Sequence, residues 1–565
     1  MPPTSHAAPP EQPSLRDALL ARRFDDAHGL RYRDDHWTWA QYVAACAQRA
    51  HWILARHRPP RPLHIGVLMD NYPEFTFLLG AAALAGATVV GLNPTRRGQE
   101  LARDIEHTDC AVVITQESYL PLLAGLELTV PVIDAADPGY LADVAGRPAE
   151  PPTHHQASAE ALFGLVFTSG TTGSPKAVRC TQGSLLRRAR RVVDLVELAP
   201  ADVCYVAMPL FHSNSLILGW APAMVAGAAV VLRERFSASA FGDDVRRYGV
   251  TYSNYVGKPL SYILATAPRP DDAATTLRLV YGNEAPDSVI AEFGRRFGCR
   301  VIDGFGTTEG GIGFNRTAET PPNSVGVPRG NIKVLDPATE QECPVAEFDA
   351  HGNLRNADVA VGELVNVGGV GTFEGYYRAE AAMRERVRGG SYWSGDLGYR
   401  DAAGYFYFAG RAGDWLRVDG ENLALAPIER TLARYPGFAE TAVYPVPDPA
   451  AGDQVMIAVV PRDAFDGTDF AEWLDRQPDL GAKWAPAFVR VSRTLPTTLT
   501  NKLLRRDLVA QCWECADPVW WRPRRAGAYQ PLDAAARERI RADFARHGRE
   551  RLLRPGPAAG QKRSV

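Results

Sequence analysis

The sequence predicts an α/β protein: a large N-terminal domain of α/β subdomains with parallel sheets, followed by a small α+β C-terminal domain. Three observations predict it. Short apolar runs such as HIGVLM (64–69), CAVVIT (110–115) and RLVYG (278–282) alternate with helical stretches as far as about residue 410, the pattern of strands joined by helical crossovers. The stretches FLLGAAALAGATVVGLNP (77–94) and LILGWAPAMVAGAAVVLRE (216–234) repeat one helix–glycine–strand design, which argues for two related subdomains. After Arg411 the texture changes: RVDGENLALAPIERTLARYPG (417–437), TAVYPVPD (441–448) and QVMIAVV (454–460) read as loop, helix and short strands of a compact module ending near residue 520.

Taken in order, residues 1–13 are rich in Pro and Ala and read as a loose segment, and 14–410 form the large domain. Within it Phe75–Leu92 is uncharged over eighteen residues, close to the length of a membrane span. Gly80, Gly86 and Gly91 divide that stretch into a helix and a strand, so a buried helix–strand unit is the better reading. Residues 411–525 form the small domain and 526–565 a tail. The tail's one amphipathic helix, LDAAARERIRADFARHG (532–548), reads as a solvated face because its charges dominate.

At 565 residues the chain exceeds what one core serves. Apolar content of 46% and charged content of 22% are ordinary for a globular protein, and a net charge of −3 gives nucleic acid no purchase. Eight scattered cysteines fit a reduced compartment better than a disulfide framework. Cys512 and Cys515 make one CxxC without a second pair to complete a zinc site. The start lacks the basic-then-apolar order of a signal peptide, so the expected location is cytoplasmic.

The run FTSGTTGSPKAV (167–178) sets hydroxyls and Lys176 around Gly170 and Gly173. Glycines let successive N–H groups point at one anion, and hydroxyls with an ammonium add donors, which suits a polyphosphate. It is not a Walker loop, since Ala177 follows the lysine. Composition alone leaves a plain Ser/Thr/Gly turn as an equal alternative. GFGTTEGG (304–311) offers an aromatic plate and a hard carboxylate of the kind Mg²⁺ takes beside phosphate oxygens. YWSGDLG (392–398) places Asp396 on a tight turn, where a carboxylate can accept from vicinal hydroxyls. Arg411 in GRAGDWLRVDGENLAL (410–425) can meet ribose or phosphate; out of context, Asp396 and Arg411 read equally as a structural ion pair.

The literal TSGTTGSPK (168–176), and the order of the motifs behind it, resemble the adenylate-forming superfamily of acyl-CoA synthetases, luciferases and peptide-synthetase adenylation domains. The likeness spans roughly residues 15–525. YGNEAP (281–286) with EFGRRFG (292–298) is closest to the fatty-acid-transport-protein-like and bacterial long-chain fatty-acid–CoA ligase type. The resemblance implies that 14–410 bind and adenylate, and that the small domain is mobile and carries the catalytic lysine. It implies ATP contacts from Thr168, Ser169, Gly170, Thr171, Thr172, Gly173 and Lys176 in the loop, and from Gly282, Asn283 and Glu284 on the purine side. Phe305, Gly306, Thr307 and Thr308 would follow at the adenine, and Asp396 with Arg411 at the ribose.

Lys502 in LPTTLTNKLLRRDL (495–508), Glu309 and Thr171 are the implied catalytic residues, with Thr171 and Glu309 on Mg²⁺. His212 of MPLFHSNS (208–215), and Tyr255 and Gly257 of NYVGKPLSYIL (254–264), would line the acid site. Gly413 and Asp414 would be the hinge, and Gly420, Glu421 and Asn422 would face a thiol tunnel. Three positions depart from the pattern: Phe305 stands for the usual tyrosine, Asn501 for a glycine, and Gly413 for an Asp or Lys.

The implied activity joins a medium- or long-chain fatty acid, or a similar apolar carboxylate, to coenzyme A at the expense of ATP, through acyl-AMP. Alternatives are an acyl-AMP ligase that loads a carrier protein, a ligase for steroid side-chain carboxylates, and a nucleotide-binding protein without catalysis. No nucleic acid and no transmembrane segment are expected; peripheral contact with a membrane is compatible with an apolar acid.

Overall fold

The computed structural model describes residues 12–154, 157–168, 176–317, 319–349, 354–411, 415–418, 421–450, 452–477, 480, 485–497, 503–523 and 527–553, without the side chains of 415–418, 421–424, 426, 427, 430 and 506. Contacts divide the chain into two compact units. One comprises the described residues of Met1–Ser169 and Pro175–Gly313 together with Thr372–Glu385; the other comprises those of Phe314–Gly371 and Arg386–Val565.

The first unit holds two mainly parallel sheets. One runs in the order Val132–Asp134, Val112–Thr115, His64–Leu68, Thr88–Gly91, Leu162–Thr168, Lys176–Thr181, and only its last pair is antiparallel. The other includes, in order, Arg300–Gly306, Leu279–Asn283, Tyr252–Val256, Val203–Val206, Ala229–Leu232, His28–Tyr32 and Asp35–Thr38. Strands His64–Leu68, Thr88–Gly91 and Ala229–Leu232 are buried throughout, as parallel strands covered on both faces must be.

Helix Gln182–Val196 is capped by Thr181 and buries Leu185, Ala189, Val192 and Val196, one stripe at helical spacing. A single core joins both sheets through Trp39, Trp52, Phe163 and Trp220. Each such side chain contributes about 2–3 kcal/mol by leaving water.

The two helix–glycine–strand stretches form as read. Helix Pro73–Ala85 ends at Gly86 (φ 66°) and helix Ala221–Ala226 at Gly227 (φ 77°), both left-handed caps that favour glycine. The second copy differs in entering through a π-helix, Ser215–Trp220. Among the described residues no helix is long and apolar enough to cross a membrane.

The second unit departs from the expected parallel pattern. Strands Ile332–Leu335, Gly362–Asn366, Ser391–Arg400 and Phe406–Arg411 pair antiparallel and bury cores of their own around Trp393 and Tyr407. Short apolar runs look alike in either direction, so this antiparallel part is not told apart in the sequence from the parallel sheets that make up the first unit. A further sheet orders Phe438–Pro447, Asp453–Pro461, Phe488–Val491, Val519–Trp521 and Gln530–Pro531. The helix expected to be a solvated face, Ala534–Arg546, instead packs into this unit. Ala536, Ile540 and Phe544, spaced four apart, are buried with Phe488 and Trp513, and the charges occupy the other face.

Candidate active site

Strands Leu162–Thr168 and Lys176–Thr181 place the two ends of the Gly/Thr loop opposite one another, with Thr168 paired to Lys176. Ser169, Gly170, Thr171, Thr172 and Gly173 lie outside the described residues, as do Gly413, Asp414, Gly420 and Lys502. Lys176 is 9% exposed; its Nζ is 3.7 Å from the Glu385 carboxylate and 5.4 Å from the centroid of the Tyr376 ring.

Both partners come from Thr372–Glu385, which returns from the far side of an intervening segment to lie along Lys176–Thr181. The Arg179 N–H donates to Gly375 O (3.0 Å) and the Tyr377 N–H to Ala177 O (2.8 Å). Glu374 accepts from the Thr181 N–H and hydroxyl, each at 2.6 Å.

Strand Arg300–Gly306 delivers Phe305 and Gly306 to a turn, where the Gly310 N–H donates to Thr307 O (3.0 Å) and Gly310 sits at φ 74°. A Cβ on Gly310 would fall 2.2 Å from Thr372 Oγ1 and 2.6 Å from an Arg188 nitrogen, so only glycine fits. Arg188 donates to the carbonyls of Thr308 and Glu309 (both 3.3 Å) and of Thr372 (3.1 Å), and to Thr372 Oγ1 (2.8 Å). Ser213 Oγ lies 3.0 Å from Thr308 Oγ1, and the Tyr376 hydroxyl donates to Glu309 Oε1 at 3.0 Å. The turn is thus tied to three separate segments, and Glu309 presents a half-buried carboxylate.

On the purine-side loop, Asn283 Nδ2 donates to Gly304 O (2.9 Å) and Asn283 O accepts from the Gly257 N–H (2.7 Å). A Cβ on Gly282 would meet Tyr255 O at 2.1 Å. Glu284 has φ 67°, a left-handed conformation that costs an L-residue about 1 kcal/mol. Tyr255 turns its hydroxyl to Asp303 Oδ2 (2.7 Å), which also accepts from the Ala285 N–H (3.0 Å). Asn214 donates to Tyr255 O (2.9 Å) and accepts from Asn254 Nδ2 (2.6 Å). His212 follows Phe211, their rings 4.4 Å apart. Residues of strands Val203–Val206 and Tyr252–Val256 and of helices Ala238–Tyr248 and Pro259–Leu264 line a narrow apolar cleft that includes Tyr255, Phe241 and Leu260.

In the second unit Asp396 is not on a tight turn. It lies within strand Ser391–Arg400 at a bulge, where the register against Gly362–Asn366 shifts and Gly395 has φ 72°. The extra residues of a bulge re-aim a side chain without ending the strand. Glu363 accepts from the Gly395 N–H at 2.6 Å. Burial raises the Glu363 carboxyl above its ordinary value, against the opposing pull of that N–H and of Arg386 and Arg388. Asp396 is buried and pairs with Arg411 Nε at 3.4 Å, so the ion pair left open by the sequence is formed. Trp415–Val418 and Glu421–Ala424 form a β-hairpin whose side chains, Glu421 and Asn422 included, are outside the description.

Sequence reasoning singled out Lys176, Glu309, Thr307 and Thr308, which the fold gathers within the first unit. It missed Arg188, Asn214, Asp303 and Tyr376, which act through hydrogen bonds to other residues.

A family model described as AMP-binding enzyme matches residues 18–377, and one described as AMP-binding enzyme C-terminal domain matches residues 427–502. The chain is 48% identical over 513 residues to the medium/long-chain-fatty-acid–CoA ligase FadD17 of Mycobacterium tuberculosis, covering 90% of this chain and 99% of that protein. It is 45% identical over 553 residues to the steroid-22-oyl-CoA synthetase of Rhodococcus jostii, covering 96% and 99%. The solved structure of the anthranilate CoA ligase AuaEII in complex with anthranoyl-AMP has the same fold, with a TM-score of 0.76 over 88% of this chain and 97% of that one at 22% identity. With both family models matched in order and near-complete relatives at this identity, the chain belongs to the AMP-binding family of adenylate-forming enzymes.

Proposed function

We propose that the protein is an AMP-forming acid–thiol ligase that activates a medium- or long-chain fatty acid or a similar apolar carboxylate and passes it to coenzyme A. The observation that carries this reading is the almost end-to-end likeness to two acid–CoA ligases. The geometry agrees with it: a lysine at the end of the Gly/Thr loop and a carboxylate on a fixed turn share one tyrosine. The steroid-22-oyl relative makes a rigid polycyclic carboxylate a second candidate substrate.

In the first half-reaction a carboxylate oxygen of the acid attacks the α-phosphorus of ATP. The new C–O–P bond forms as the bond to the bridging oxygen breaks, and pyrophosphate leaves. In the second, the sulfur of CoA attacks the acyl carbonyl, the bond to AMP breaks and the thiol proton passes to solvent. Little covalent chemistry falls to the protein; positioning and charge neutralisation carry the step.

On this reading Thr168–Lys176 cradle the phosphates, Phe305 stacks on adenine, Asp396 receives the ribose hydroxyls with Arg411 beside it, and Lys502 neutralises charge during adenylation. Residues 14–410 bind ATP and acid, and 411–525 move between the two steps about Gly413 and Asp414.

The residues present fit Mg²⁺. Glu309 offers a hard oxygen, and among the described residues no cluster of three His, Cys, Asp or Glu forms a closed metal cage. A lone carboxylate suits a cation whose remaining ligands are phosphates and waters. Glu309, with Thr171, would hold the ion, which when bound offsets charge on the phosphates.

Products formed from ATP, Mg²⁺ and a panel of fatty and steroid acids, with and without CoA, test the proposal by mass spectrometry. Acyl-CoA is the expected product. Acyl-AMP accumulating in both reactions would move the acceptor to a carrier protein, and no adduct with any acid would overturn the assignment. Lys502→Ala should slow adenylation at least about a hundredfold, the scale of one lost transition-state donor. Thioester formation from supplied acyl-AMP should be nearly spared; equal loss in both half-reactions would contradict the role given to Lys502.

A further inference from the structure

We propose that Tyr376 is the positioning residue that sets the Glu309 carboxylate for its cation. The inference rests on the reading of Glu309 given above. Tyr376 is 5% exposed and belongs to Thr372–Glu385, the segment that pairs with the strand following the Gly/Thr loop. Its place is doubly determined. Val178 bridges it across the strand pair, and Phe373 packs edge-on against its ring at 5.0 Å between centroids.

The two halves of Glu309 are held by different means. Arg188 grips the backbone through the carbonyls of Thr308 and Glu309, and Thr372 closes the turn by donating to Gly310 O from its N–H (3.0 Å) and its hydroxyl (3.2 Å). None of these bonds reaches the side chain. A glutamate on a fixed backbone still has three rotatable bonds, and ordering it costs about 1.5–2 kcal/mol. The Tyr376 hydroxyl at 3.0 Å from Oε1 removes that freedom and occupies one oxygen. Among the described residues Oε2 takes no hydrogen bond and is the oxygen left for a cation.

The same ring meets Lys176 on its face, with Nζ 5.4 Å from the centroid. An ammonium over the ring draws electron density from it and makes the phenol a better donor to the carboxylate. One side chain therefore ties the lysine that would meet phosphate to the carboxylate that would meet the cation. Partners of this kind, which orient a ligand without touching the metal, shift metal affinity about 10–100-fold when removed.

The test uses the full chain and reads ATP binding by calorimetry, without acid or CoA, from EDTA up to saturating MgCl₂. Tyr376→Phe keeps the ring and removes only the hydroxyl. It should raise the Mg²⁺ concentration for half-maximal tightening of ATP binding about tenfold. ATP affinity in EDTA and the melting temperature should stay near the parent's. Glu309→Gln should abolish the Mg²⁺ response, and adding Tyr376→Phe to it should change nothing further.

A shift under twofold in Tyr376→Phe, or a shift of the same size with Glu309→Gln already present, would overturn the positioning role. Glu309→Gln with an intact Mg²⁺ response would remove the reading of Glu309 and the inference with it. A parent chain that binds no ATP at all would instead sink the proposed function.

Discussion

The stretches 77–94 and 216–234 start from nearly the same sequence pattern and end in the same way, with a left-handed glycine and a buried strand. Their beginnings differ. In the first, Gly80 and Gly86 are six apart on a regular α-helix that Tyr72 and Pro73 open. In the second, Gly219 and Gly227 are eight apart and the helix begins with a π-turn, Ser215–Trp220. Wide helical turns of that kind recur at functional sites. Here the π-turn follows directly on Ser213 and Asn214, whose side chains bond Thr308, Tyr255 and Asn254.

Among the described residues the first copy makes no such side-chain hydrogen bond, although Gly91 lies against Phe211; the residues that lead into it support the second copy. Asn71 donates to Met208 O (2.9 Å) and Arg233 O (3.1 Å) and accepts from the Leu210 N–H (2.9 Å), so it grips the chain before the second copy and at that copy's end. Trp220 Nε1 donates to the Tyr42 hydroxyl (2.9 Å), which donates to Thr76 O in the first helix (2.6 Å). One helix–glycine–strand stretch is regular, and the other is irregular and lies beside the candidate site.

The comparison breaks most visibly at Asn71, which is 2% exposed. Asn71→Ala strands the Arg233 carbonyl and the Leu210 N–H in the interior, each worth about 1 kcal/mol or more when unpaired, while Met208 O keeps the Ser215 hydroxyl. Stability should fall by about 2 kcal/mol, read as a lower urea midpoint. The variant that remains folded should keep its KM for the acid within about threefold. A loss below about 1 kcal/mol would mean that the segment leading into the first copy does not hold the second.

The two inner glycines sharpen the same contrast. A Cβ on Gly80 would lie 2.3 Å from Cys46 Sγ and 3.0 Å from its Cβ, between two tightly packed helices. On Gly219 the nearest atoms are Asn254 Oδ1 and Val206 Cγ2, both at 3.1 Å. Overpacking at Gly80 should outweigh the gain in helix propensity, so Gly80→Ala should lose about 1–2 kcal/mol. Gly219→Ala should lose less than about 1 kcal/mol. Paired thermal melts decide; equal losses would erase the difference in packing between the copies.

These contrasts also mark how far the sequence could be read. Glycine caps and unbroken apolar strands report local conformation, so both copies and the parallel sheets of the first unit were legible. Pairing between distant segments is not local. Nothing in FEGYYR (373–378) shows that Tyr376 returns to lie beside Val178, which is why the phenol on Glu309 went unseen. Asn214, Arg188 and Asp303 escaped for the same reason, because each works on another residue's carbonyl, amide or hydroxyl. The Ala534–Arg546 helix is a different case. Its buried stripe Ala536, Ile540, Phe544 stands in the sequence at helical spacing, and the surrounding charges masked it.

A small effect on stability, at Asn214, discriminates best between support and function. Asn214 is half-buried at the entrance of the π-turn and joins Tyr255 O to the Asn254 amide. Water can reach part of what Asn214→Ala exposes, so stability should fall by only about 1 kcal/mol. The bonds lost are those that fix the backbone at Tyr255, next to Gly257 and the purine-side strand. Under the proposed function the acid then meets a looser wall, and misplacement of a bound reactant is costly in rate. KM for the acid should rise about tenfold, with ATP affinity in the absence of acid nearly unchanged. Asn71→Ala should show the reverse split, a large loss of stability with little change in KM. If instead Asn214→Ala loses as much stability as Asn71→Ala while its KM stays put, the irregular copy is scaffold as well, and the π-turn needs another explanation.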